Sequence, residues 1–276
     1  MHIIQAIILG AVQGITEFLP VSSTAHLIIT EKLFGLNQAT YGLSFDMFIN
    51  LGTIAAVLIF FWSDLRDIFG RLRLPSGAKP LAAKEQMPWL ILGATVPVGL
   101  LGMLLQKRIE TQFRSLSYIA ASLVIVGILM IVAEVITWRR DHNVEPTPLQ
   151  IVATALSQCL AFVPGVSRSG ITITTGLFLG MDRVTAARYS FLLSVPITIA
   201  ATGKKLLDFV SLIHSQGIAA DVLAFYLVGA VVSFITGYFT LKFLLRFYTR
   251  YSLTSFAYYR FALALVLLIL IARFGY

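Results

Sequence analysis

Leu19-Pro20-Val21-Ser22-Ser23-Thr24 and Val163-Pro164-Gly165-Val166-Ser167-Arg168-Ser169-Gly170 each interrupt apolar sequence with proline and hydroxyl residues, the second with glycines as well. They sit in the middle of two regions, 2–34 and 147–181, each holding two short apolar segments. A helix that crosses a bilayer needs about 20 apolar residues and does not carry so many breakers at its centre. A re-entrant helix hairpin does, because irregular backbone at membrane depth is tolerated where it is buried in protein or lines a wet cavity. Both regions are therefore expected to be re-entrant hairpins.

The rest of the chain supplies the membrane that such hairpins need. Of its 276 residues, 58% are hydrophobic and 12% charged, and the mean hydropathy is +0.86. Soluble domains carry about 25% charged residues. Six apolar stretches, at 42–63, 84–106, 115–138, 183–207, 219–245 and 255–274, are long enough to span. The fold class read from this pattern is an all-α polytopic membrane protein with six transmembrane helices plus two re-entrant helix hairpins, in a single domain over 1–276. The start, Met1-His2-Ile3-Ile4-Gln5, lacks the basic segment of a cleaved signal peptide, so the first helix is expected to stay.

The two hairpin regions resemble each other. A gapless shift of 145 positions pairs Gln5 with Gln150, Gln13 with Gln158, Val21-Ser22 with Val166-Ser167, Ile28 with Ile173, Thr30 with Thr175 and Gly35 with Gly180. Each half, about 1–140 and 146–276, then reads as a hairpin followed by three spans. Three crossings is an odd number, so the repeat is expected to be inverted.

The net charge of +8 is distributed as the positive-inside rule requires rather than as a nucleic-acid footprint. One membrane side collects Arg66, Arg71, Arg73, Lys79, Lys84, Arg139, Arg140, Arg183, Lys242, Arg246 and Arg250. The other collects Lys32, Lys107, Arg108, Arg114, Lys204, Lys205 and Arg273. The richer side should be cytoplasmic, with both termini outside.

Chemistry concentrates at the breakers. Gln13 and Glu17 are four apart and share a helix face. A carboxylate in such a stretch costs about 2.5–3.5 kcal/mol, so Glu17 has either a role or a hydrogen-bonded partner between helices. Ser22, Ser23 or Thr24 can cap the next helix, with His26 on its first turn. In the second region Arg168 takes the repeat position of Ser23. It needs an anionic or carbonyl partner, either Glu17 in a structural pair or a bound anion. Ser167, Ser169 and Thr172 add hydroxyls. Two half-helix N-termini facing each other would present positive partial charge to a phosphate. A hydroxyl, a carboxylate, an imidazole and a guanidinium in an apolar shell suit phosphoryl transfer.

These segments, Gln13–His26 and Pro164–Thr172, resemble the two signature motifs of the undecaprenyl-diphosphate phosphatase family, also called the bacitracin-resistance or BacA family. The similarity extends to Phe45-Asp46, Leu51-Gly52-Thr53, Ser190-Phe191-Leu192-Leu193-Ser194-Val195-Pro196 and Tyr259-Arg260-Phe261, and so covers nearly the whole chain. The resemblance implies hydrolysis of undecaprenyl diphosphate to undecaprenyl phosphate and inorganic phosphate. That reaction recycles the lipid carrier for peptidoglycan and confers resistance to bacitracin, which sequesters the substrate. It also implies a divalent cation (Mg2+ or Ca2+), a homodimer in the bacterial inner membrane, and a site open to the extracytoplasmic side. Carried over by motif, Ser23 is the nucleophile, with direct attack by water as the alternative, His26 handles its proton, Glu17 holds the metal or orients Ser23 and His26, and Arg168 stabilises the phosphoryl charge. Ser22, Thr24, Ser167, Ser169 and Thr172 bind phosphate oxygens. Many relatives carry glutamate where this chain has Gln13, which leaves Gln13 a hydrogen-bonding or metal-orienting group.

A phosphatidic-acid-phosphatase reading fails, since no Arg-Pro occurs and the next histidine after Arg168 is His214. A polyprenyl-phosphate transporter or flippase is the serious alternative, because broken helices in inverted repeats typify transporters. A non-catalytic scaffold leaves the inward ionisable residues unexplained. Cys159, the single cysteine, reads as packing, and His2, His142 and His214 as solvated. Asp46, in an apolar stretch, reads either as support for the site or as an ordinary polar residue of the span, and Trp62, Trp89 and Trp138 as interfacial anchors. No nucleotide-binding glycine loop and no His/Cys metal cluster is present.

Overall fold

The computed structural model describes residues 3–35, 38–70, 83–112, 115–137 and 145–274. The sequence readings on His2, Trp138 and His142 lie outside these residues, as do those on Arg71, Arg73, Lys79, Arg114, Arg139 and Arg140. Every element among the described residues is helical. The order is α1 Ile3–Phe18, α2 Ser23–Leu33, α3 Gln38–Phe60, α4 Trp62–Phe69, α5 Ala83–Gln112 and α6 Leu116–Thr137. There follow α7 Pro148–Ser157 with a 3-10 turn Gln158–Phe162, α8 Arg168–Phe178, α9 Arg183–Gln216, α10 Ala220–Tyr248 and α11 Thr254–Phe274.

Five helices, α5, α6, α9, α10 and α11, are long and apolar enough to cross a membrane. The stretch read as the first span is α3, which bends by 72° at Phe61 into α4; counted as one span, the pair makes six. Leu104 is 76% exposed, Phe239 62% and Leu265 59%, an outer face that only lipid would leave apolar. The chain is a polytopic membrane protein.

Helices α1 and α10 approach backbone to backbone. A Cβ placed on Gly14 would meet Ser233 O at 2.5 Å and Gly237 N at 2.8 Å. The small residues Gly10 and Gly14 thus form the contact stripe that lets helices pack closely without a hydrophobic driving force. Gly14→Ala should destabilise the protein by about 1–3 kcal/mol through overpacking. Thermal unfolding in detergent checks this against Gly93→Ala, where nothing lies within 4 Å of the added carbon.

The two interrupted regions are helix pairs whose tips touch. Ser169 Oγ donates to Leu19 O at 3.1 Å. Beneath the tips lies Arg260 of α11, completely buried, whose guanidinium is spent on backbone carbonyls. It donates to Pro20 O (3.1 Å) and Gly165 O (2.8 Å), one from each tip, and to Leu123 O (3.1 Å) and Ser122 O (3.2 Å) of α6. Arg260→Met would strand four carbonyls, and hydrogen bonds to charged groups are worth about 1.5–3 kcal/mol each. We expect a lower unfolding temperature than for any cavity-lining variant, with activity lost in parallel. A second buried cluster sits away from the tips, where Glu134 takes Arg183 bidentately at 2.6–3.0 Å and also accepts Leu253 N at 2.6 Å.

Candidate active site

Helix α1 ends where Leu19-Pro20 removes a backbone donor and restrains the chain, and α2 restarts three residues after Pro20. The residue that caps α2 is Ser22, whose Oγ accepts Ala25 N at 3.4 Å. At α8 the same position falls to Ser167, whose Oγ accepts Gly170 N at 3.2 Å. Ser22 (φ 75°) and Ser167 (φ 71°) are the non-glycine residues with positive φ among those described. Such strained backbone persists only where its surroundings over-determine it and tends to mark functional sites. Both turns deliver the next residue, Ser23 in one and Arg168 in the other, as the first residue of a helix.

Glu17 joins the two. Its Oε2 accepts Ser23 Oγ at 2.8 Å and Gln13 Nε2 at 3.1 Å, while Oε1 pairs with Arg168 Nη2. The other arm of the guanidinium, Nη1, donates to Thr198 on α9. The pair is largely buried, with Arg168 23% and Glu17 13% exposed. Gln13 also donates to Asn50 Oδ1 on α3 at 3.2 Å. A hydroxyl, a carboxylate and a guanidinium thus lie in one hydrogen-bonded chain at two helix starts.

Two cavities open on this chain. A polar one of about 160 Å³ is lined by Ser22, Ser23, Thr24 and Ser167 with Glu17 and Arg168. A neighbouring one of about 220 Å³ shares Glu17 and Arg168 and adds Asn50, Gln158, Thr198 and Lys205.

Histidine 26 is not where the motif reading expects it. Its Nδ1 bonds to Ser22 O at 2.7 Å and its Nε2 to Tyr259 Oη at 2.7 Å. A carbonyl only accepts, so Nδ1 carries hydrogen; when the ring is neutral, Nε2 then accepts from Tyr259. Both ring nitrogens are committed, and the hydroxyl of Ser23 goes to Glu17 instead. The three-residue spacing brings His26 near the turn, but the bond to Ser22 draws the ring away from Ser23.

Two other expected phosphate ligands are also placed differently. Thr172 is fully buried and bonds to Arg168 O at 2.7 Å and to Ser190 Oγ. Ser169, 3% exposed, stitches the two tips together. Neither lines the two cavities. Ser22, Ser23, Thr24 and Ser167 do.

The family model described as "Bacitracin resistance protein BacA" matches residues 6–266. A protein named undecaprenyl-diphosphatase from Rubrobacter xylanophilus is 43% identical over 267 residues, 96% of each chain. Its namesake from Thermodesulfovibrio yellowstonii is 41% identical over 272 residues, 98% of this chain and 97% of the relative. The chain belongs to the BacA family. A third similar protein of that name, from Chloroherpeton thalassium, is 41% identical over 281 residues, 99% of this chain and 98% of its own.

In this BacA chain, the divalent cation implied by the resemblance must find oxygen donors. No group of three or more His, Cys, Asp or Glu is gathered among the described residues. What is present is the Glu17 carboxylate, Asn50 Oδ1, and Gln13 Oε1, a buried acceptor without a partner. One carboxylate with neutral oxygens suits a hard cation that takes the rest of its shell from substrate phosphate and water. The donor set fits.

Asn50, Thr198 and Lys205 are neighbours of the site that the motif reading passed over, and Tyr259 and Arg260 entered it only as part of the resemblance, with no role. For Asn50 and Arg260 the signal was there, since each is a strongly polar residue inside an apolar stretch, as Glu17 is. Asp46 enters through its backbone, whose carbonyl accepts Asn50 Nδ2 at 2.7 Å. Cys159 is half-buried, and His214 is exposed in the last turn of α9.

Proposed function

We propose that this protein hydrolyses undecaprenyl diphosphate to undecaprenyl phosphate and inorganic phosphate, and so recycles the lipid carrier of cell-wall synthesis. The observation that carries the reading is the Ser23–Glu17–Arg168 chain at two helix starts, within a BacA chain. Ser23 attacks the terminal phosphorus as Glu17 takes its proton. The bond to the bridging oxygen breaks, and lipid monophosphate leaves. Water then attacks the phosphoserine, releases inorganic phosphate and restores the Ser23 hydroxyl and the Glu17 carboxylate.

Arg168 gives this sequence an order. While paired with Glu17 it holds that carboxylate's Oε1. An arriving phosphate competes for the guanidinium, so substrate binding releases the base at the moment it is needed, and Arg168 then offsets charge on the equatorial oxygens. Thr24 and the helix-start N–H groups add donors to those oxygens. His26, held between Ser22 and Tyr259, keeps the turn that presents Ser23. A divalent cation held by Glu17, Asn50 and a turned Gln13 amide would supply further charge neutralisation on the diphosphate.

The same reading includes the architecture. Helices α1 and α2 repeat as α7 and α8, with starts at Ser23 and Arg168 and ends at Leu33 and Phe178, each 145 apart. α1 and α3 pack on α10, as α7 and α9 pack on α5. These exchanges support inverted repeats with six spans; we propose with them tips inside the bilayer of the bacterial inner membrane, a site open to the extracytoplasmic side, and a homodimer.

Phosphate release by the purified protein in detergent tests the function. We expect equal amounts of lipid monophosphate and phosphate. A flippase would share the broken helices but release neither.

A further inference from the structure

The cavity that Asn50, Thr198 and Lys205 line with Glu17 and Arg168, next to the Ser23 cavity, continues at its far end. It shares Phe162, Ile197, Ala201 and Lys205 with a larger groove of about 470 Å³ between α5 and α9. The groove is a trough of small and apolar residues. Gly99 and Gly102 contribute no side chains, and Met103, Ala200 and Ile197 complete the walls. A polar cavity joined through Lys205 to a groove walled mostly by small and apolar residues suits an amphiphile. Lipid would solvate a free tail anywhere, so the distinctive feature is the junction.

Lys205 stands at that junction, since it alone of the charged groove residues also lines the cavity with Glu17 and Arg168. The other two, Lys204 and Asp208, lie in the groove only. Within that cavity Arg168 is matched by Glu17, whereas Lys205 forms no ion pair among the described residues. The one positive charge left over in the cavity is therefore the Lys205 ammonium. A diphosphate ester carries more charge than Arg168 can offset, and the excess resides on both phosphates.

We propose that the groove holds the isoprene units nearest the diphosphate and that Lys205 binds the phosphate that stays on the lipid. This rests on the hydrolase reading. On this assignment Ser23 and Arg168 meet the terminal phosphate, Lys205 the inner phosphate, and Gly99, Ala200 and Ile197 the start of the chain. Lys205 is thereby a specificity residue for diphosphate over monophosphate: the product, with a single phosphate, cannot engage both cations at once and leaves.

Steady-state hydrolysis of undecaprenyl diphosphate and of a five-carbon prenyl diphosphate, in one detergent, tests both halves. Lys205→Met keeps the apolar stem and should raise KM for both substrates about tenfold, the scale of one charge-assisted hydrogen bond. Lys205→Arg should restore it. Gly99→Leu and Ala200→Leu fill the groove, and a carbon added at Gly99 meets only Ile197 Cδ1, at 3.5 Å. Each should shrink the advantage of the long substrate over the short one in kcat/KM by about tenfold, the worth of a few buried methylenes. An unchanged KM in Lys205→Met overturns the lysine assignment. An unchanged chain-length preference in both leucine variants, with unfolding temperatures matching the unsubstituted protein, overturns the groove. If the unsubstituted protein releases no phosphate from either substrate, the hydrolase reading falls and takes this proposal with it.

Discussion

Arg168→Lys is expected to lower turnover by about 10³-fold or more, the scale of arginine assistance in phosphoryl transfer, in a protein that folds normally. The guanidinium holds two partners from two nitrogens, Glu17 through Nη2 and Thr198 through Nη1. An ammonium at the same place is a point charge on a flexible stem and cannot hold a fork geometry. Lysine is the informative replacement because it keeps Glu17 paired. A neutral side chain would leave a buried carboxylate uncompensated, and breaking such a pair costs about 3–5 kcal/mol. Affinity for a non-hydrolysable lipid diphosphate, measured beside turnover, separates the two uses of the charge. A loss confined to turnover places Arg168 on the transition state. Near-normal turnover would mean that charge alone suffices and that the fork to Thr198 is structural.

The breaker clusters made the hairpins legible in sequence, because proline, glycine and capping hydroxyls act through local backbone chemistry. Ser22 and Ser167 cap α2 and α8 in register with the 145-residue shift, so the two helix starts could be read before any packing was known. The pairing of Arg168 with Glu17 was one of two readings open in sequence, a bound anion being the other, since each residue is too costly in an apolar stretch to stand alone. What was not legible depends on three-dimensional direction. The side chain of His26 turns back to Ser22 O and across to Tyr259, 233 residues away. The bend at Phe61 carries no proline or glycine, so composition does not announce it. Thr198 and Lys205 look like an ordinary span residue and an ordinary end-of-span cation until α9 is laid against the hairpins. Arg260 had the same intramembrane cost as Glu17, but its partners are backbone carbonyls, which no sequence pattern displays.

Ser23→Ala should abolish nearly all hydrolysis, and Glu17→Gln should fall to a similar floor. The Ser23 hydroxyl donates to Glu17 at 2.8 Å, so nucleophile and base are one hydrogen-bonded unit, and groups that act as a unit are strongly non-additive. The double variant Glu17→Gln/Ser23→Ala should then be no worse than either single one. Ser23→Ala should still bind a non-hydrolysable diphosphate, because Arg168, Thr24 and the helix-start N–H groups remain. His26→Gln should lose only about tenfold, the scale of a perturbed hydrogen bond, since the imidazole supports the turn and does not touch Ser23. The informative comparison is His26 against Glu17. A loss of about 10²–10⁴ in His26→Gln, the usual worth of a general acid–base group, would mean that the turn rearranges when substrate arrives and the imidazole takes the proton after all. Substantial activity in Ser23→Ala would remove the covalent step. Glu17 would then activate a water lying where the hydroxyl now sits, and the Glu17→Gln loss would persist without the Ser23→Ala loss.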